Sequence, residues 1–485
     1  MARAMDALKQ FFVSGTAEGE RSILENVFIM PAQMIDLLSI HQGNPRILVG
    51  NKGTGKTAVI DYIGMLFQQL EVPCVSVRPD DLDLRQLQNE GDVATIRKIM
   101  FESLVNAVDS KLFENGRIRH SMQQNSLSGK LHALNNASQP LTAKLQAAII
   151  AKISASGKPS DDVASALGSS LFSDGSLSLL FLDDTDQIAS PDYPSHLNRI
   201  WGFLLAARQL AMKVTGLKII ISLRSEIWRR LQRDERGQRD QIDHFGPLVV
   251  DLRTSDEYLE SILNRRIESA AAARGYYGIE PLLQFFDSVS MILPSSSESR
   301  RWGTFITKSS RERPRDMIQL VGKLIDCAKK SRHDKISSQD AEVVMHVYSE
   351  ERVNYMATEI GNDCAEVAEV VRSFSDSPYE MSFEILRKHL EGIPSRFSVR
   401  VKGRTLQPHT QEAVIALLDI LFEAGFINAR VMDTRMSRSY RHVTHADDPQ
   451  MIRRSRWNDL QAAQWEIHPA FRTFLHDIKM REMFR

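Results

Sequence analysis

Arg46-Ile47-Leu48-Val49-Gly50-Asn51-Lys52-Gly53-Thr54-Gly55-Lys56-Thr57 is the stretch whose reading decides the fold. A short apolar run stops at a glycine-rich turn, and the turn matches G-x-x-x-x-G-K-[ST] at every position. Glycines let the backbone curl until several N–H groups face one anion. A helix opening at Lys56 would turn its positive end to the same anion. In such a loop Gly50, Asn51, Lys52, Gly53, Thr54 and Gly55 cradle phosphates, Lys56 reaches the β and γ phosphates, and Thr57 ligates Mg²⁺. Downstream, Val59, Ile60, Ile63, Leu66 and Phe67 recur at helical spacing, and Val72 to Val77 reads as a second strand. Strand, loop, helix and strand make one βαβ unit.

Further on, Leu179-Leu180-Phe181-Leu182 runs into Asp183-Asp184-Thr185-Asp186. Carboxylates at the C-terminal end of a buried strand face the crevice where ligands bind in open α/β sheets. Asp183 is the candidate Mg²⁺ ligand and Asp184 the candidate group that polarises an attacking water. Leu217 to Leu223 and Pro247 to Leu252 supply two more apolar runs, with a helix between Ser195 and Met212. Five short strands alternating with helices predict an α/β, parallel, doubly wound core.

With these residues in view, the chain resembles the STAND and AAA+ P-loop ATPases of the ASCE class, the Orc/Cdc6 branch in particular. The resemblance rests on the phosphate loop, the Leu-Leu-Phe-Leu-Asp-Asp strand and Ile219-Ile220-Ile221-Ser222-Leu223-Arg224. It implies that the acidic strand is Walker B and that Arg224 approaches the γ-phosphate, with Ser222 as the polar alternative at that strand end. Leu259 to Arg266 resembles a first lid helix. Arg313-Pro314-Arg315-Asp316 resembles the turn that opens a later one, which would bring Arg315 over the nucleotide. By the same resemblance the nucleotide is ATP. The arrangement is also similar to uncharacterised bacterial P-loop ATPases, some of which occur among phage-defence genes.

The organisation expected is a helical lead-in over 1–45 and a core over 46–253 with a helical insertion at about 80–175. A helical lid over 254–375 and a winged-helix domain over 381–485 follow. Thr254 and Glu257 have capping-box spacing at the lid's first helix. Pro294 to Ser299 reads as a Ser-rich link, and Trp465 to Phe471 as a closing strand and helix start. No internal repeat of 20–50 residues is visible.

Composition excludes little. Lys and Arg number 61, as do Asp and Glu, so no global field points to nucleic acid. Locally the balance shifts: from Ile385 to Arg485 there are 17 Lys and Arg against 11 Asp and Glu, a net charge of +6. Arg435, Arg438, Arg441, Arg453, Arg454 and Arg456 crowd the wing, where phosphate contact would give salt-dependent DNA affinity. Arg229, Arg230, Arg233, Arg236 and Arg239 are candidates for a finger acting on a neighbouring subunit's nucleotide. Acidic residues interleave with them, as on a solvated ion-paired face. The three cysteines, Cys74, Cys327 and Cys364, lack metal-ligand spacing. No apolar run approaches the length of a membrane span, and a cytoplasmic location is expected.

Three functions compete at this stage. One is an ATPase switch working through a homo-oligomer or a co-encoded effector, with antiphage defence as its setting. The second is an Orc/Cdc6-like initiator, loader or repair factor that grips duplex DNA through the winged helix. The third is a scaffold that binds ATP and barely hydrolyses it.

Overall fold

A computed structural model describes residues 2–38, 44–69, 72, 74–87, 90–114, 178–188, 195–214, 217–233, 242–433 and 440–484. Most of the expected insertion, Arg236, Arg239, Arg435 and Arg438 lie outside these residues. The chain divides into two compact units. One comprises Gly15–Arg265 with Arg313–Arg315. The other comprises Met1–Ser14, Arg266–Glu312 and Asp316–Arg485.

The first unit is built on five parallel strands: β1 (Arg46–Gly50), β2 (Cys74–Val77), β3 (Ser178–Leu182), β4 (Leu217–Arg224) and β5 (Val249–Asp251). Their order is β2-β3-β4-β1-β5. The strand that carries the acidic run is therefore separated from the phosphate-loop strand by β4. Alternate residues of each strand feed two different cores, as period-2 geometry requires. Leu48, Leu179, Phe181 and Ile220 join Val59, Ile60, Ile63, Leu66 and Phe67 of helix α1 (Lys56–Gln69) on one face. Ile47, Val49, Leu180, Leu182, Ile219 and Ile221 meet helices α2 (Val93–Glu114) and α3 (His196–Lys213) on the other. Burial on both faces explains why β3 and β4 read as unbroken apolar runs. Where α2 and α3 cross, a Cβ at Gly202 would come within 2.5 Å of Ile96, so the close approach depends on the missing side chain. Helix α4 (Ser225–Arg233) follows β4 directly.

Helix α5 (Asp256–Ala272) comes next. Its first turn is held by Ser255, whose hydroxyl accepts from the Tyr258 N–H at 3.2 Å. Thr254 is thus one residue away from the capping position read from the sequence. The serine satisfies an open backbone donor with the same chemistry.

The second unit contains a short antiparallel hairpin, β6 (Ser290–Ile292) and β7 (Ser299–Arg301). The stretch taken for a Ser-rich link is its turn. Each strand has only three residues, with Met291 the single buried one, so the alternation is too short to announce them. Helices follow at Trp302–Lys308, α6 (Pro314–Lys330) and α7 (Ser338–Ile360). A reciprocal Ser337–Asp340 capping box opens α7.

The C-terminal part runs β8 (Glu380–Ser382), α8 (Phe383–Arg396), a two-residue pair β9 (Arg400–Val401) and β10 (Arg404–Thr405), α9 (Gln411–Glu423), β11 (Ile427–Met432), β12 (Tyr440–Val443), β13 (Gln464–Ile467) and α10 (Pro469–Met483). Its sheet order is β12-β11-β13-β8. The expected closing strand, β13, is therefore a central strand, paired to β11 and β8. Buried Trp465 on β13 lies near the rings of Phe383 from α8 and Phe422 from α9. Among the described residues no helix is long and apolar enough to cross a membrane.

Candidate nucleotide site

The C-terminal ends of β1, β3 and β4 converge through strand register. Gly50 pairs with Arg224, Val49 with Leu223, and Leu182 with Ile221. The phosphate loop, the acidic run and the residues Ser222–Arg224 therefore leave the sheet along one edge.

The loop adopts the shape its glycines permit. Gly53 has φ +85° and Gly55 φ +97°, both in the left-handed region that a side chain disfavours. A Cβ on Gly50 would meet Thr54 Oγ1 at 2.6 Å, whereas beside Gly55 there is open space. Thr54 N–H and its hydroxyl both donate to the Asn51 carbonyl, at 3.3 and 2.9 Å. Lys52 lies in the turn and is half-buried, as is Thr57 in the first turn of α1. Lys56 Nζ donates to the carbonyls of Gly50 at 2.8 Å and Asn51 at 3.2 Å. Burial pulls this ammonium below the ordinary lysine value, against the raising influence of Asp186, Glu226 and Asp183.

At the acidic end Asp183 is 2% exposed. Its Oδ1 accepts from the Ser222 hydroxyl at 2.5 Å. The same hydroxyl oxygen accepts from the Asp184 N–H at 3.0 Å. Thr185 Oγ1 donates to the Ser222 carbonyl. One serine on β4 thus staples the exit of β3. Asp184 sits at φ 52°, a conformation that costs a non-glycine residue energy and that the staple maintains. Burial, then Asp183 and Asp186, push the Asp184 carboxyl above the ordinary range. Burial does the same for Asp186, outweighing the opposing pull of Arg224 and Lys56. Arg224 Nε contacts Asp186 Oδ2 at 2.7 Å, and its Nη1 lies 3.8 Å from Glu226.

Arg315 stands at the start of α6, where Pro314 occupies the first helical turn. Its N–H donates to the Gly53 carbonyl at 3.3 Å and its Nε to the Gly15 carbonyl at 3.3 Å. A Cβ on Gly53 would approach the Arg315 Cβ to 3.3 Å. The residue touches the outer turn of the phosphate loop through its backbone.

Three groups at this edge escaped the sequence reading. Arg78, immediately after β2, pairs with Glu18 at 3.1 Å. Burial lowers its guanidinium, yet Asp183, Glu18 and Asp184 together hold it above the ordinary value. Asp61, on α1, has a carboxyl raised by burial. Asp186 is the third acid of the run. The strand-end rule applied to Asp183 would have found Arg78 had it been carried to β2.

The residues fit a magnesium nucleotide. A buried ammonium bonded only to neutral carbonyls, an open glycine cradle at a helix N-terminus and oxygen donors from Thr57 and Asp183 suit phosphate and a hard cation. Among the described residues no group of three or more His, Cys, Asp or Glu could hold a metal by itself. Mg²⁺ takes one or two carboxylates and completes its shell with phosphate oxygens and water.

Of the other arginines, Arg229 Nε donates to its own helix at the Ser225 carbonyl. Arg441, Arg453 and Arg454 are exposed, while Arg456 pairs with Asp448 and Asp459.

A family model described as the FunZ-associated C-terminal helical domain matches residues 257–357. No curated protein matches the chain. Among solved structures, the Aeropyrum pernix ORC2 protein, in its ADPNP–ADP complexes, is 10% identical with 98% of both chains covered and a TM-score of 0.38. Cdc6p from Pyrobaculum aerophilum is 12% identical, covers 98% of both chains and has a TM-score of 0.34. A Walker-type ATPase of Pyrococcus abyssi is 13% identical over 86% of this chain and 92% of its own, with a TM-score of 0.38. Likenesses at this level carry no residue role across. The G-x-x-x-x-G-K-[ST] loop between β1 and α1, on a parallel five-stranded sheet with helices on both faces, is the strand–loop–helix arrangement of a P-loop NTPase core.

Proposed function

We propose that the chain binds and hydrolyses ATP with Mg²⁺ at this sheet edge and acts as a conformational switch. The observation that carries the reading is the register that sets Gly50 beside Arg224 and Leu182 beside Ile221. It brings a phosphate cradle, paired carboxylates and a guanidinium to one place.

Bound Mg²⁺ and triphosphate would supply the electrophilic phosphorus and neutralise part of its charge. Thr57 and Asp183 hold the cation, Lys56 binds the β and γ oxygens, and Arg224 takes the γ-phosphate. Asp184, with its raised carboxyl, orients the attacking water and accepts its proton. Arg315, tied to Gly53 through its N–H, responds to the state of the phosphate loop. Output through a homo-oligomer or a co-encoded effector, and a setting in antiphage defence, follow from the family resemblance.

Phosphate release by the full chain tests the reading. Lys56→Ala should reduce nucleotide binding about 100-fold or more. Asp184→Asn should bind normally and hydrolyse about 100-fold more slowly. Equal rates for wild type and Asp184→Asn would favour the scaffold. Survival of phage-challenged cells that depends on Lys56 tests the setting, and equal survival with Lys56→Ala would remove it.

A DNA-binding role is the second reading, supported by exposed Arg441, Arg453 and Arg454 in a region of net charge +6. Duplex binding over a salt series should then fall steeply. Affinity indifferent to salt would eliminate it.

A further inference from the structure

Asp186 is not needed to hold phosphate or metal in the scheme above, yet it occupies the centre of the site's electrostatics. Its side chain is 7% exposed and contacts Arg224 Nε at 2.7 Å. Glu226 stands 3.8 Å from Nη1 of the same guanidinium. Asp186 is also the carboxylate that acts most strongly on Lys56, ahead of Glu226 and Asp183. One buried acid therefore pairs with Arg224 and is also the strongest negative influence on Lys56.

Resting on the nucleotide reading, we infer that Asp186 competes with the γ-phosphate for Arg224 and thereby sets how strongly the site prefers a nucleoside triphosphate to a diphosphate. The physical reason is charge. A γ-phosphate brings negative charge to the guanidinium that Asp186 already neutralises, and the two anions repel at close range in a site sheltered from water. Arg224 must leave its carboxylate to bind phosphate, so the measured triphosphate affinity is reduced by the fraction of molecules in which the pair is closed. A diphosphate does not call on Arg224 and is bound with the pair intact. The ion pair is thus a stand-in for the γ-phosphate, and its strength sets the threshold of the switch. Glu226, farther away and 33% exposed, contributes in the same direction with less force.

The test is calorimetric titration of the full-length chain with ADP and with a non-hydrolysable ATP analogue, both with Mg²⁺, using Lys56→Ala as the blank. Asp186→Asn should bind the analogue about tenfold more tightly, equivalent to about 1.4 kcal/mol. Its ADP affinity should change by less than about twofold, well under 1 kcal/mol on the same scale. Combined with Arg224→Gln, the same substitution should give no gain for the analogue. Glu226→Gln, at a half-exposed position that tolerates substitution, should give a smaller gain of about threefold. It keeps the inference open to refutation if Asp186→Asn does not fold. Weaker analogue binding by Asp186→Asn would show that Asp186 aims Arg224 at the phosphate, and would overturn the inference. Equal tightening of both nucleotides, a gain that survives Arg224→Gln, or no gain from Glu226→Gln would overturn it too. A wild-type chain that binds neither nucleotide would sink the nucleotide reading itself. Binding without the Asp186 effect would sink this inference alone.

Discussion

Two clusters of buried charge, one in each unit, are handled in opposite ways. In the second unit Asp316 is enclosed by two guanidiniums. Arg311 donates to its Oδ2 through Nε at 3.1 Å and Nη2 at 2.9 Å, and Arg352 donates to its Oδ1 at 2.5 Å. Arg352 is held further by Gln319 at 3.0 Å and by the rings of Tyr348 and Tyr355, each 4.7 Å away. At the sheet edge of the first unit, Lys56, Asp184 and Asp186 are all displaced from their ordinary titration ranges, with burial the largest cause in each case. The first cluster finds its balance within the chain, since Glu351, 3.8 Å from Arg352 Nη2, adds a second carboxylate to face the two guanidiniums. The second leaves Lys56 on neutral carbonyls and acids crowded together, the arrangement expected where a charged ligand completes the balance. Buried charge by itself says little about function; whether the chain neutralises it says more.

The comparison breaks most visibly at Asp316. Asp316→Ala leaves two buried guanidiniums without their anion and should cost about 3–5 kcal/mol of unfolding free energy in urea. A cost below about 1 kcal/mol would show that the cluster is not the closed structural element described, since even exposed pairs reach that value.

A second measurement probes the same unit by pH. His389 is half-buried, its Nε2 lies 2.9 Å from the Ser373 hydroxyl, and loss of water around it pulls its pKa down to about 4. The folded chain keeps this imidazole neutral while the unfolded chain protonates it near the ordinary value of about 6.5. Stability is therefore complete above about pH 6.5 and is lost progressively as pH falls toward about 4, by about 3 kcal/mol in all. His389→Gln should flatten that part of the stability profile, and an unchanged slope would refute the assignment.

The smallest effect sharpens the contrast at the sheet edge. The Asp184 carboxyl is raised, so its ionised form costs the folded state energy at neutral pH. Asp184→Asn should raise Tm by about 1–2 °C while slowing hydrolysis. The advantage should be greatest above the raised value and vanish as pH falls to the ordinary aspartate value of about 3.9, where both states are protonated. A lower Tm would mean that the carboxylate is compensated after all.

How much of this was readable in advance follows from the range of the interactions. The phosphate loop was legible because its glycines, lysine and threonine act over a few residues, and the turn Gly50–Lys56 closes on itself. Strands β3 and β4 were legible because burial on both faces forces continuous apolar runs. The β6–β7 hairpin was not, since strands of three residues are too short to carry a periodic signal. The capping serine of α5 was missed by one position because Thr254 and Ser255 offer equivalent hydroxyls, and only backbone geometry chooses between them. Trp465 was read as part of a strand, but nothing local shows that β13 is inserted between β11 and β8.

From its sequence alone the chain determined the phosphate cradle, the acidic strand end and the alternation that makes a parallel α/β core, because each is written in contiguous residues. Tertiary structure alone decided that β4 separates the two motif strands, that Arg224 stands opposite Gly50, that Ser222 staples Asp183 and Asp184, and that Asp186 holds the arginine. Those are pairings between segments distant in the chain, set by which apolar faces bury together, and no local pattern encodes them.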